Sequence, residues 1–315
     1  MNKPILTILI ALSFVSGYFF HSYFARKETM LKMSRTKENA LTNPLLDCEL
    51  YDYKEPQIIV MKKNIENVIE RTKGQYSEIS VYFRDLDNGP TFGVNEKNTF
   101  APVSLLKVPV MIAYLKLSET NPQLLEEKID YSGESSSFNN LPEDKILIKG
   151  SSYTIDELIY RMIALSDNAS FEILASRIDP KQLKKIHQEL GIVYPDQSTP
   201  IDYITVKSYA GLFRVLYNAT YLNREMSEKA LEYLTKSDFH LGIQAGLPKN
   251  VKTALKFGIR DLDQNGQMQI HDCGIVYASK KPYLLCVMTK GENKDTLVNL
   301  IKSISKAVYE EIQDK

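Results

Sequence analysis

Hydrophobic and polar positions divide the chain into one long apolar run, a polar stretch without period, and a remainder in which helical and strand periods alternate. Residues 4–24 (PILTILIALSFVSGYFFHSYF) contain no acidic or basic side chain except His21. About 20 residues at ~1.5 Å each match a bilayer core of ~30 Å, so the run is predicted as a membrane helix. Val15-Ser16-Gly17 would suit signal cleavage, but the apolar run continues through Tyr18, Phe19 and Phe20, and an uncleaved anchor is expected. Residues 25–55 mix charges with Asn43-Pro44 and suit a juxtamembrane stalk. From Gln57 to Lys73 the spacing of Ile65, Val68 and Ile69 is helical, and Ser77–Phe83 reads as a strand. A second strand is expected around Thr91–Val94, after a turn at Asn88-Gly89-Pro90.

Residues 104–234 are predominantly helical in pattern. Thr154 and Glu157 form a capping box, opening a helix with Leu158, Ile159, Met162 and Leu165 on one side that stops at Ser166-Asp167-Asn168. Gly133–Asn140 is a polar loop. Strands return at Thr253–Ile259, Met268–Tyr277 and Pro282–Thr289, and Lys294–Ile312 is an amphipathic helix. Strands at both ends of a helical middle imply one sheet built from both ends of the domain, with an all-helical insertion. A site is expected at the seam. The resulting division is a flank 1–3, an anchor 4–24, a stalk 25–55 and a domain 56–315, whose α/β part is 56–103 and 235–315 and whose helical part is 104–234.

The chain has 315 residues, 43% of them apolar, which suffices for a globular core. Lysine plus arginine and aspartate plus glutamate are 39 each, so no basic field attracts nucleic acid, and none is expected as a partner. Lys3 precedes the apolar run while Arg26, Lys27, Lys32, Arg35 and Lys37 follow it, a bias that alone favours a cytoplasmic domain. Cys273 and Cys286 fall on consecutive predicted strands and stand in position to face one another. The preferred reading is two small buried thiols rather than a disulfide, and no cysteine spacing, Cys48 included, suggests a metal site.

A serine hydroxyl needs a neighbouring base, and a lysine serves only if burial or nearby charge lowers its pKa. Ser104 and Lys107 have the i, i+3 spacing that puts both on one helix face, at the start of an apolar helix whose free amides favour negative charge. Ser34/Lys37 and Ser303/Lys306 share that spacing and are assigned to the stalk and to a solvated helix face. Ser104 is followed by Ser166-Asp167-Asn168 and then by Lys256-Phe257-Gly258 on a strand. These three elements in this order resemble the serine β-lactamases and penicillin-binding proteins, specifically the class A β-lactamase catalytic domain, over about residues 57–315. Phe100–Val103 before the nucleophile, Tyr153-Thr154-Ile155, and Cys273–Val276 belong to the same resemblance.

The resemblance implies an α/β (α+β) fold of the β-lactamase/transpeptidase type, with an antiparallel sheet flanked by helices, an all-α subdomain and, ahead of both, the transmembrane helix. It implies a cofactor-free, metal-free hydrolase acting on β-lactams or on D-alanyl-D-alanine-like wall peptides, a monomer whose domain lies outside the cytoplasm. Export is thus expected from the chemistry. Ser104 would be the nucleophile and Lys107 its proton acceptor. Ser166 would pass a proton to the leaving nitrogen, and Lys256 would bias both groups and attract a substrate carboxylate. Asn168 would contact the substrate side-chain amide, Asp167 would be a buried structural acceptor, and the N–H groups of Ser104 and Ile259 would form the oxyanion hole. Gly258 would leave room for the acyl group.

Two departures are visible. Phe257 replaces the hydroxyl expected between Lys256 and Gly258, and Arg260 is the candidate substitute for carboxylate binding; Lys252-Thr253-Ala254 restores a hydroxyl but loses the glycine. No Glu-x-x-Asn occurs, and the acids of the segment 191–205, Asp196 and Asp202, read as turn residues beside Pro195 and Pro200. Acylation is therefore better supported than deacylation, and a penicillin-binding carboxypeptidase or a non-catalytic wall-binding module stand as alternatives. Asp261–Asp272 has calcium-loop spacing, but its strand flanks and Asn265-Gly266 favour a hairpin. His271 and Asp272 should point to opposite faces, and His187 and His240 lack partners in sequence.

Overall fold

The computed structural model describes Leu41 and residues 56–87, 90–133, 141–279 and 281–313. The apolar run 4–24, the stalk apart from Leu41, Ser34/Lys37, Cys48, Asn88-Gly89 and residues 134–140 lie outside the described residues. Among the described residues no helix is long and apolar enough to cross a membrane.

Helix α1 (Pro56–Arg71) leads into strand β1 (Glu78–Asp85), which pairs antiparallel with β2 (Thr91–Val94). After the helical middle come β5 (Lys252–Arg260), β6 (Met268–Tyr277), β7 (Tyr283–Gly291) and the closing helix α8 (Lys294–Gln313). The sheet order is β2-β1-β7-β6-β5, every pair antiparallel, and the β1–β7 pairing joins the two ends of the domain. β6 is buried over nine of its ten positions because both sheet faces are covered, so it reads as a continuous run instead of alternating. On one face Ile65 of α1 and Leu297, Ile301 and Ile304 of α8 meet Ile79, Val81 and Val287.

The other face receives the helical part. At its centre α2 (Lys107–Ser118) is buried from Lys107 to Leu115 without a polar stripe, the signature of a helix enclosed on all sides. Around it stand α3 (Ile155–Ala164), α4 (Asn168–Ala175), α5 (Pro180–Glu189), α6 (Val206–Tyr217) and α7 (Arg224–Leu234), whose apolar faces share its core. The helical pattern conceals a two-stranded ribbon, β3 (Lys128–Asp130) with β4 (Ser152–Thr154), whose strands are too short to show a period. Thr154 caps α3 by accepting from the Glu157 N–H at 3.1 Å.

Cys273 and Cys286 are directly opposite in the β6–β7 register and form a disulfide, correcting the expectation of two free thiols. The β5–β6 connection is a hairpin: Asp263 Oδ1 accepts from the N–H groups of Asn265 and Gln267 at 2.8 and 3.0 Å, and Gly266 has φ 69°. Asp272, the twelfth position of the calcium-like spacing, lies within β6 and accepts from the Ile243 N–H at 2.7 Å, so it does not close an ion-binding loop.

Candidate active site

Ser104 lies in a short 3-10 turn, Val103–Leu106, that runs directly into α2. In 3-10 geometry positions i and i+3 eclipse one another, which lines Ser104 up with Lys107 more closely than an α-helix would. The turn is fastened on several sides. Phe100 N–H donates to Ile204 O at 2.9 Å, and Ala101 N–H donates to Gln269 Oε1 at 2.9 Å. His271 Nε2 lies 3.0 Å from Ala101 O, and Tyr209 OH donates to Leu105 O at 3.2 Å. Val103, a β-branched residue, is held at φ 48°, and such left-handed strain persists only where the surroundings impose it.

Ser166 sits in the link between α3 and α4. Its φ of 57° reverses the chain after the last turn of α3, a place where glycine is usual. Asp167 caps α4: its Oδ1 accepts from Ala169 N–H at 3.1 Å, while Oδ2 accepts from Ser170 Oγ at 2.7 Å and Arg161 Nε at 3.1 Å. It is fully buried.

Lys107 joins the first two motifs. Its Nζ lies 2.6 Å from Ser166 O, 2.7 Å from Asn168 Oδ1, and 3.1 Å from both Ser104 Oγ and Ser166 Oγ. Lys256 completes the set: its Nζ donates to Ser166 Oγ at 2.9 Å, so one hydroxyl stands between two buried amines. Burial pushes Lys107 down to about 8, offset in part by the Asp167 carboxylate. Burial and the neighbouring Lys107 charge hold Lys256 well below the ordinary lysine range, with Asp238 and Asp272 opposing.

β5 is an edge strand, so alternate backbone N–H groups face away from β6. Gly258 has a packing role on β5. A Cβ there would lie 3.3 Å from Leu105 Cγ and 3.4 Å from Pro102 O, so its absence lets β5 approach the turn that carries Ser104. Ile259 follows on the same strand, half-buried. Arg260 is paired with Asp202 at 3.9 Å. Asp202 also holds Lys290 at 3.2 Å and accepts from Gln269 Nε2 at 2.8 Å, which makes it a knot of charges rather than the turn residue expected. Asp196 is a turn residue, bonded to Ser198 and Thr199.

The Phe257 ring stacks on Phe239 with centroids 4.4 Å apart and lies 4.3 Å from Lys256 Nζ. His271 and Asp272 do point to opposite faces, His271 to Ala101 and Asp272 to Ile243. His187 contacts Leu183 O at 2.9 Å within α5, and Ser303 bonds to Asn299 O on the exposed face of α8. Gln269, Tyr209 and Phe239 also touch the site's elements, and no spacing in the sequence marks them. Gln269 and His271 share one face of β6, but that this face meets the Ser104 turn is a matter of tertiary contact.

A hydroxyl one turn from a buried amine, with a second hydroxyl shared between that amine and another on an edge strand, is an arrangement suited to serine acyl transfer. Residues 60–312 match the model of the beta-lactamase enzyme family, and the chain belongs to that family. Its fold is similar to that of a class A beta-lactamase from Bacteroides cellulosilyticus (TM-score 0.72, 20% identity, 81% of this chain and 99% of that one). It is similar also to TLA-1 extended-spectrum beta-lactamase (0.70, 17%, 80% and 98%). A third similar structure is a point mutant of PBP-A in an acyl-enzyme complex with penicillin G (0.69, 19%, 82% and 98%). No curated protein sequence matches the chain.

Proposed function

We propose that this protein is a membrane-anchored serine acyl-transfer enzyme, acting outside the cytoplasm on amide carbonyls of the β-lactam or D-alanyl-peptide kind, with Ser104 as nucleophile. The observation that carries the proposal is the set of partners around Lys107 Nζ. Two of them, Ser166 O and Asn168 Oδ1, are carbonyl oxygens that only accept, and a neutral amine has two N–H groups to give them. Its lone pair is then left facing the hydroxyl side, where Ser104 Oγ lies at 3.1 Å.

In this reading the lone pair takes the Ser104 proton as Oγ bonds to the carbonyl carbon, and the oxygen's charge is received by the N–H groups of Ser104 and Ile259. The new Lys107 ammonium protonates Ser166 Oγ, which gives its own proton to the leaving nitrogen as the C–N bond breaks. Lys107 returns to its neutral form and the acyl group stays on Ser104. Lys256 polarises Ser166 throughout.

Deacylation is proposed to be slow. The sequence has no Glu-x-x-Asn, and the acids of the corresponding segment are engaged elsewhere, Asp196 in its own turn and Asp202 with Lys290 and Arg260. Loss of a general base typically costs ~10²–10⁴-fold in its step. This favours a penicillin-binding, carboxypeptidase-like protein over a rapid β-lactamase. Incubation with fluorescent penicillin should give a persistent adduct that is absent in Ser104→Ala. Rapid turnover would identify a β-lactamase, and no adduct would leave a wall-binding module.

A further inference from the structure

Phe257 does more than omit a hydroxyl. Lys256 has no solvent exposure, and its Nζ is committed to Ser166 Oγ at 2.9 Å and Phe257 O at 3.2 Å, with the Phe257 ring 4.3 Å away. The ring is not loose: it is stacked on Phe239, itself 8% exposed, with the planes inclined by 17°. Arg260, the cation two residues beyond Gly258, is already paired with Asp202. A carboxylate arriving beside the third motif would therefore lose its water against an aromatic ring, with the amine beneath it covered. Desolvating a charge without a partner is costly, whereas an uncharged group against a ring is not.

We propose that Phe257, braced by Phe239, sets leaving-group specificity: the site takes acyl donors whose leaving side is uncharged at this point, as an ester, an amide or a continued peptide, in preference to a free carboxylate. The inference rests on the acyl-transfer function proposed above and narrows its substrate class. Phe257 is a specificity residue; the reacting groups are those already named.

The test compares two probes that differ only in this charge, benzylpenicillin and its methyl ester, on the full-length protein in detergent, with the Ser104 adduct followed by intact mass. The quantity read is the ratio of the two acylation rates on one protein, so a smaller folded fraction in a variant cancels. In the natural protein the ester should react at least as fast as the free acid. Phe257→Thr should shift the ratio towards the acid by about tenfold or more, about 1.4 kcal/mol. Phe257→Leu, which keeps an apolar cover without a hydroxyl, should retain the natural preference for the ester. A natural protein that takes the free acid faster than the ester, or an unchanged ratio in Phe257→Thr, would overturn the specificity proposal while leaving acyl transfer intact. Absence of any adduct with both probes would instead remove the acyl-transfer function, and this inference with it.

Discussion

On the proposed mechanism, Lys107 sets whether the Ser104 hydroxyl can act as a nucleophile. Its two carbonyl partners fix where the N–H groups go, and burial makes loss of the third proton accessible near neutral pH. Below about 8 the amine is protonated and has no lone pair for Ser104; above it the lone pair is available. The acylation rate should therefore rise with pH through about 8 and level off above, measurable by stopped-time labelling from acid to alkaline buffer. A flat profile across that range would exclude Lys107 as the acceptor. The pairing itself was legible in the sequence as Ser-x-x-Lys, but Ser303 and Lys306 display the same spacing, and there Lys306 is exposed and pairs with Glu310. Spacing proposes a pair; only burial distinguishes an acceptor from a surface ammonium.

At the level of elements, the site is a meeting of a turn, a helix link and an edge strand. β5 comes close enough because residue 258 carries no side chain. Gly258→Ala puts a Cβ 3.3 Å from Leu105, a distance at which the neighbour must give by a few tenths of an ångström. Small misplacements at a reacting centre cost up to ~10²-fold. This variant should acylate about tenfold more slowly, with its melting temperature lowered by only a few degrees. Unchanged labelling would mean that β5 does not position the reacting groups. The strand and helix boundaries were largely legible: Met268–Tyr277 and Thr91–Val94 appear as expected, and α3 stops where Ser166-Asp167-Asn168 begins. The β3–β4 ribbon was not, since strands of three residues are held by their pairing and show no periodic signal.

Across the whole molecule, β6 carries buried ionisable groups towards both layers. His271 faces the Ser104 turn, and burial lowers it to about 4; Asp272 faces the opposite side, and burial raises it to about 7. A carboxyl whose folded pKa lies above its unfolded value contributes its stability fully below about 3.8 and loses it as pH rises through about 7. Asp272→Asn keeps an oxygen for the Ile243 N–H and removes the charge. The variant should gain stability relative to the natural protein as pH rises from 4 to 8, by on the order of 2 kcal/mol, read by urea unfolding at the two ends. A difference independent of pH would show that Asp272 does not ionise in this range.

The sequence by itself determined the order and type of the elements and the three polar clusters, because helical and strand periods and the i, i+3 pairing of a hydroxyl with an amine depend on neighbours within a few residues. Only the tertiary structure decided what those clusters become. The β6–β7 register turned two expected thiols into a disulfide, the missing side chain at Gly258 let β5 approach the Ser104 turn, and Phe239 gave the Phe257 ring its support beside Lys256. Each of these depends on which faces meet across the sheet and how much water they exclude, quantities that no local pattern of residues encodes.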